Sequence, residues 1–112
     1  MVGNRFHRAK KDNNHNSVAA VFIEYGYDVI DLSALKNLCD FVAYNGKDVY
    51  FVEVKSKGGR LTDGEIRFIV RHPYVKIIET VEQAEELAKN GKYVMPERYR
   101  RQMDKYLTSG SL

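Results

Sequence analysis

Two β-patterned runs joined by Asn45-Gly46 constrain this chain more than any other stretch of it. Phe41-Val42-Ala43-Tyr44 precedes the dipeptide, and the alternating run Val49-Tyr50-Phe51-Val52-Glu53-Val54-Lys55 follows. Asn-Gly in that setting is the strongest short-range signal for a hairpin with a two-residue type I′ loop. In that register Tyr44 faces Lys47 and Asp40 faces Phe51, so Asp40 and Glu53 are diagonal neighbours about 7–8 Å apart. A four-residue loop, Asn45 to Asp48, makes Asp40 and Glu53 direct partners instead. Either pairing puts Asp40, Glu53 and Lys55 on one sheet face, because side chains alternate with a period of two.

Two carboxylates that close repel unless something positive lies between them. A lone Glu-x-Lys in a strand reads as a salt-bridged surface, but the preceding Asp and the hairpin register shift the balance toward a site. Mg²⁺ is the economical counter-charge, since it accepts one or two carboxylates and keeps several waters. Lys55, one strand period beyond Glu53, is placed to hold a water or a developing charge on phosphorus.

The order Asp, hairpin, Glu-x-Lys resembles the PD-(D/E)xK nuclease superfamily. More narrowly it is similar to the virus-type replication–repair nuclease domains and the archaeal-type Holliday-junction resolvases. Asn14-His15, the helix ending near Gly26, Val29-Ile30-Asp31-Leu32-Ser33, Leu61-Thr62 and Glu79-Thr80-Val81-Glu82-Gln83-Ala84 fall in the expected order, so the likeness spans about residues 13–90. It implies an α/β fold with a restriction-endonuclease-like core, a mixed central sheet containing an antiparallel hairpin and flanked by helices. It also implies Mg²⁺-dependent DNA endonuclease activity, with Mn²⁺ as substitute and roles in repair or recombination. Asp40, Glu53 and the Val54 carbonyl would hold the metal, and Lys55 would position the attacking water. Two positions depart from the family pattern: Cys39 replaces a Pro, and Asn16 replaces a helix Glu. Asn16 and Glu65 are auxiliary candidates, Glu65 competing with its role in a helix cap. A reading of another class keeps the fold without the cutting, as a nucleic-acid-binding or assembly module.

At 112 residues the chain is expected to form one domain with a single core. One cysteine excludes a disulfide framework, and no run approaches the ~18 apolar residues of a membrane span; with no signal-like N-terminus, the expected location is the cytosol of a prokaryotic or viral host cell. Charge is segregated. Residues 1–12 carry Arg5, Arg8, Lys10 and Lys11 against Asp12, and residues 92–112 carry five basic groups against two acids. Each end is therefore +3, and since the chain is +3, the segment 13–91 is −3. A basic arm (1–12), an acidic core (13–91) and a basic amphipathic tail (92–112) suit an enzyme that grips a phosphate backbone. Arg5, Arg8, Lys10, Lys11, Lys57 and Arg60 are the candidate DNA contacts.

Periodicity predicts a helix over 14–25, with Val18, Val21, Phe22 and Tyr25 as its stripe and Gly26 as its stop. A strand over 27–32 and the hairpin follow. Residues 56–60 read as a mobile loop, and Thr62 with Glu65 forms a capping box for a second helix that ends before His72-Pro73. A strand over 74–78 leads to a third helix, capped by Thr80 with Gln83 and closed by Gly91. Pro96 opens the last helix, whose stripe of Tyr99, Met103, Tyr106 and Leu107 either folds back onto its own domain or stands apart from the core and pairs two copies; the expectation leans to the homodimer. His15 is expected at the surface.

Overall fold

The computed structural model describes residues 13–35 and 38–109, so Arg5, Arg8, Lys10 and Lys11 lie outside the described residues. Helix α1 (Asn13–Glu24) buries Val18, Ala19, Val21 and Phe22. Tyr25, expected in that stripe, lies past the helix end and is 40% exposed. The helix stops in a Schellman turn: Gly26 has φ 89°, its N–H donates to Ile23 O, and the Tyr27 N–H reaches back to Phe22 O at 2.9 Å. The Phe22 and Tyr27 rings meet edge-on across the turn, the apolar contact that commonly accompanies this motif.

Four strands follow in the sheet order β1-β2-β3-β4: β1 (Asp28–Asp31), β2 (Phe41–Tyr44), β3 (Val49–Val54) and β4 (Val75–Ile78). The first three are antiparallel, and β4 runs parallel to β3, reached through helix α2 (Asp63–Arg71). The fold is therefore α/β with a mixed sheet. In the hairpin, Tyr44 pairs with Val49 and Phe41 with Val52, which is the register of the longer loop, Asn45–Asp48. The two-residue type I′ loop is not formed. Asn45 instead turns its side-chain oxygen inward to accept the Lys47 and Asp48 N–H groups, and its own N–H donates to Asp48 O. Gly46, at φ 84°, supplies a positive backbone angle in this arrangement.

Alternation along the strands divides the core in two. Val29, Phe41, Ala43, Val52 and Ile78 face α1 and helix α3 (Val81–Asn90), with Phe22 and Leu87 between them. Val75, Ile77 and the partly buried Phe51 face α2 and helix α4 (Glu97–Thr108). Both capping boxes form: Thr62 with Glu65 on α2, and Thr80 with Gln83 on α3. No described helix is long and apolar enough to cross a membrane.

Helix α4 does not stand apart, as the sequence suggested. Tyr99 is fully buried among Leu61, Ile66, Ile69, Val75 and Ile77, and Met103 and Tyr106 pack on the same cluster. Only Leu107 of the stripe is exposed, at 46%. The surface on which the homodimer expectation rested is thus covered by the chain's own α2 and sheet. An amphipathic stripe states that something must cover it, and not what.

Candidate functional site

The site begins where β2 ends. The Asp40 N–H donates to Val52 O at 2.9 Å, although Val52 is already the partner of Phe41, so two residues of one strand oppose one of the other. Such a bulge ends regular pairing and re-aims the side chain. Val54 consequently loses a backbone partner on β2, and the Asp40 carboxylate replaces it, Oδ2 accepting the Val54 N–H at 2.7 Å. Asp40 is thereby fixed beside β3 at the level of Glu53.

Glu53 is 6% exposed. Its neighbours Val52 and Val54 face the opposite side of the sheet, so its carboxyl points toward α2. Burial is the main reason that its pKa is held far above the ordinary carboxylate value of 4.5; the charge of Asp40 and a hydrogen bond with Glu65 add to it. The nearby Lys55 ammonium, 4.0 Å from Glu53 Oε2, opposes the shift without cancelling it. Burial and the neighbouring acid thus both favour the protonated form of Glu53.

Glu65 takes the capping role expected of it and also pairs with Lys55. Its Oε1 accepts the Thr62 N–H at 2.8 Å to close the capping box, and the same oxygen accepts Lys55 Nζ at 2.7 Å. Burial by itself would raise this carboxyl. The bonds from Lys55 and the Thr62 N–H outweigh it, so Glu65 is held below its ordinary value and stays charged. Asp63 and Glu65 also suit the positive N-terminal end of α2. A cleft of about 200 Å³ opens here, lined by Leu38, Glu53, Thr62, Glu65 and Phe68 among others. Cys39, at the Pro position of the resemblance, is buried, and burial followed by the charge of Glu53 pushes its thiol up to about 11. It is no nucleophile at neutral pH.

The remaining candidates are placed differently. Lys57 and Arg60 are exposed, on a loop whose backbone is hydrogen-bonded to neighbouring side chains. Gly58 N–H donates to Glu79 Oε2, Arg98 Nε to Gly59 O at 2.9 Å, and Gln102 exchanges two hydrogen bonds with the backbone of Leu61. Glu79, itself buried, also accepts from Arg98 Nη2 and the Tyr99 hydroxyl. This Glu79–Arg98–Tyr99 group was missed as a functional support because its members lie about twenty positions apart with no pattern joining them. Asn14 was also missed in this role: its Nδ2 donates to Lys55 O at 2.9 Å and to Glu79 O at 3.0 Å, clasping the ends of β3 and β4. His15 is a core residue, 4% exposed and edge-on to Phe41.

Whether these residues suit Mg²⁺ turns on their donors. Among the described residues no group of three or more His, Cys, Asp or Glu side chains is arranged to hold a metal. Mg²⁺ does not require one, because one or two carboxylates with waters and substrate oxygens complete its shell. Asp40 and Glu53 meet that lower requirement, and the suppressed ionisation of Glu53 is the state a divalent cation would reverse. Asn16, on α1, has a side-chain oxygen that is buried without a hydrogen-bond partner among the described residues. Compared with protein-family models, curated proteins and solved structures, the chain matches none.

Proposed function

We propose that this protein is a Mg²⁺-dependent DNA endonuclease with a restriction-endonuclease-like core. The observation that carries the reading is the buried Glu53 beside Asp40, an acidic pair that only a proton or a cation can stabilise, with Lys55 at its edge. Asp40, Glu53 and the Val54 carbonyl would hold the metal, which supplies charge for the phosphorane and leaving oxygens. Lys55 orients the attacking water and gives up part of its pairing with Glu65 to do so. Glu65 keeps the ammonium charged and directed into the cleft, and Asn14 fixes the backbone of Lys55. Asn16 is the auxiliary acceptor, and Lys57 and Arg60 contact phosphate from a loop whose backbone is anchored.

The test is nicking of supercoiled plasmid in Mg²⁺, Mn²⁺ or EDTA. Wild type should nick with either metal and not in EDTA. Asp40→Asn and Glu53→Gln should each lose more than the roughly 10–100-fold typical of residues that only support a metal ligand. Metal-dependent nicking by both variants at the wild-type rate would refute the site. A DNA mobility shift without cleavage by wild type would favour the non-cutting binding module.

A further inference from the structure

Beyond the acidic cleft, α2 carries a second and larger groove of about 370 Å³, lined by Gly64, Arg67, Phe68, Arg71 and His72. These residues follow the spacing of one helical stripe, so the groove runs along α2 from its N-terminal end to its last turn. It joins the acidic cleft directly, since Gly64 and Phe68 line both. Its two charged walls are arginines on the exposed face of the helix. Among the described residues neither arginine is paired with a carboxylate, whereas Arg98 and Arg101 are. Arg67 is held in place by a neutral partner, its Nη1 donating to the Tyr106 hydroxyl at 3.1 Å. That bond fixes its direction without neutralising its charge. The Phe68 and His72 rings lie 4.5 Å apart at their centroids and give the groove an aromatic floor.

We infer that this groove is the track of the DNA strand, with Arg67 and Arg71 contacting successive backbone phosphates on the way to the cleft at Glu53. The inference rests on the endonuclease reading for its direction, but its binding surface stands on its own charge. A negative well adjoining a positive stripe is the distribution a phosphodiester substrate requires: cations retain the flanking phosphates while the acids serve the scissile one. Arginine also suits phosphate better than lysine, because its planar fork presents two parallel donors. Gly64, where groove and cleft meet, leaves room for a strand to pass.

The test is fluorescence anisotropy with labelled duplex and single-stranded DNA in EDTA over a salt series, so that binding is read without cleavage. Arg67→Ala/Arg71→Ala should weaken binding at every sequence. It should also flatten the dependence of log affinity on log salt by up to about 0.9 per lost contact on duplex, or about 0.7 on single strands. Arg71→Ala alone, which leaves the Arg67–Tyr106 bond intact, should show about half the change and guards against a folding defect in the double variant. Lys47→Ala/Lys89→Ala removes equal charge elsewhere and should leave the slope near wild type. Equal slopes for the α2 variants and wild type, or wild type failing to bind either DNA, would overturn the inference. Wild type that binds with the expected slopes and does not nick plasmid would instead refute the endonuclease reading and leave the groove standing.

Discussion

Glu53 is where sequence, fold and chemistry meet in one side chain. Strand alternation sends it toward α2, the bulge at Asp40 sets a second acid beside it, and burial suppresses its ionisation. Its stability linkage has a definite sign. The folded protein binds the Glu53 proton more tightly than the unfolded chain does. From this group alone, stability is therefore highest below pH 4.5, where both states are protonated, and falls as pH rises toward the raised folded value. Glu53→Gln keeps the shape and the hydrogen-bond donor toward Glu65 and removes the titration. In EDTA, the melting temperature of Glu53→Gln minus that of wild type should be near zero at pH 4.5 and grow steadily to pH 8. Each kcal/mol relieved is worth about 4–8 °C in a domain of this size. Mg²⁺ at pH 8 should then raise the melting temperature of wild type more than that of the variant, which keeps Asp40 but has lost one of the two carboxylates. A gap independent of pH would mean that Glu53 is ionised without metal.

At the scale of elements, α2 joins stability to the site through its first turn. Thr62→Ala removes the cap that accepts the Glu65 N–H and should cost about 0.5–2 kcal/mol in urea unfolding. Glu65→Gln preserves the box, since Gln serves at that position as it does in α3, and forfeits only the charge opposite Lys55. It should cost less than Thr62→Ala, and a larger cost would show that the ion pair, and not the cap, holds the helix end. Such boxes are local, spanning four residues, which is why Thr62 with Glu65 and Thr80 with Gln83 could be read directly from sequence. The convergence of Asp40, Glu53 and Lys55 was legible for a similar reason, being set by one hairpin. The loop length was not, because Asn45 can serve either as a turn residue or as a side-chain acceptor for the turn. Nor could sequence place the Asp40 bulge, Asn14 on the strand ends or the arginine stripe of α2 beside the cleft. These depend on which elements pack together, and no local pattern in α2 records that its face lies against Phe51, Val75 and Ile77.

For the whole molecule, the decisive correction concerns α4. A helix that paired two copies would be dispensable to the fold of each, and truncation after Met95 would leave a folded half-sized particle. The packing predicts otherwise. Tyr99 supplies the largest fully buried side chain of its core cluster, and its hydroxyl, with Arg98, satisfies the buried Glu79. Gln102 completes the backbone pairing of Leu61 at the entry to α2. Removing α4 therefore opens the α2 face of the sheet, strips the buried Glu79 carboxylate of its Arg98 and Tyr99 donors and frees the loop carrying Lys57 and Arg60. Tyr99→Ala should cost about 3–5 kcal/mol, a large share of the roughly 5–15 kcal/mol that stabilises a typical domain. Tyr99→Phe, which keeps the ring and leaves Glu79 its bonds from Arg98 and Gly58, should cost about 1 kcal/mol. The chain ending at Met95 should lose near-ultraviolet dichroism and cooperative urea unfolding, and light scattering on the full chain should report a monomer at micromolar concentration. A truncated chain that unfolds cooperatively at half the mass of the intact protein would restore α4 as an interface, and with it the pairing of two sites across a symmetric DNA.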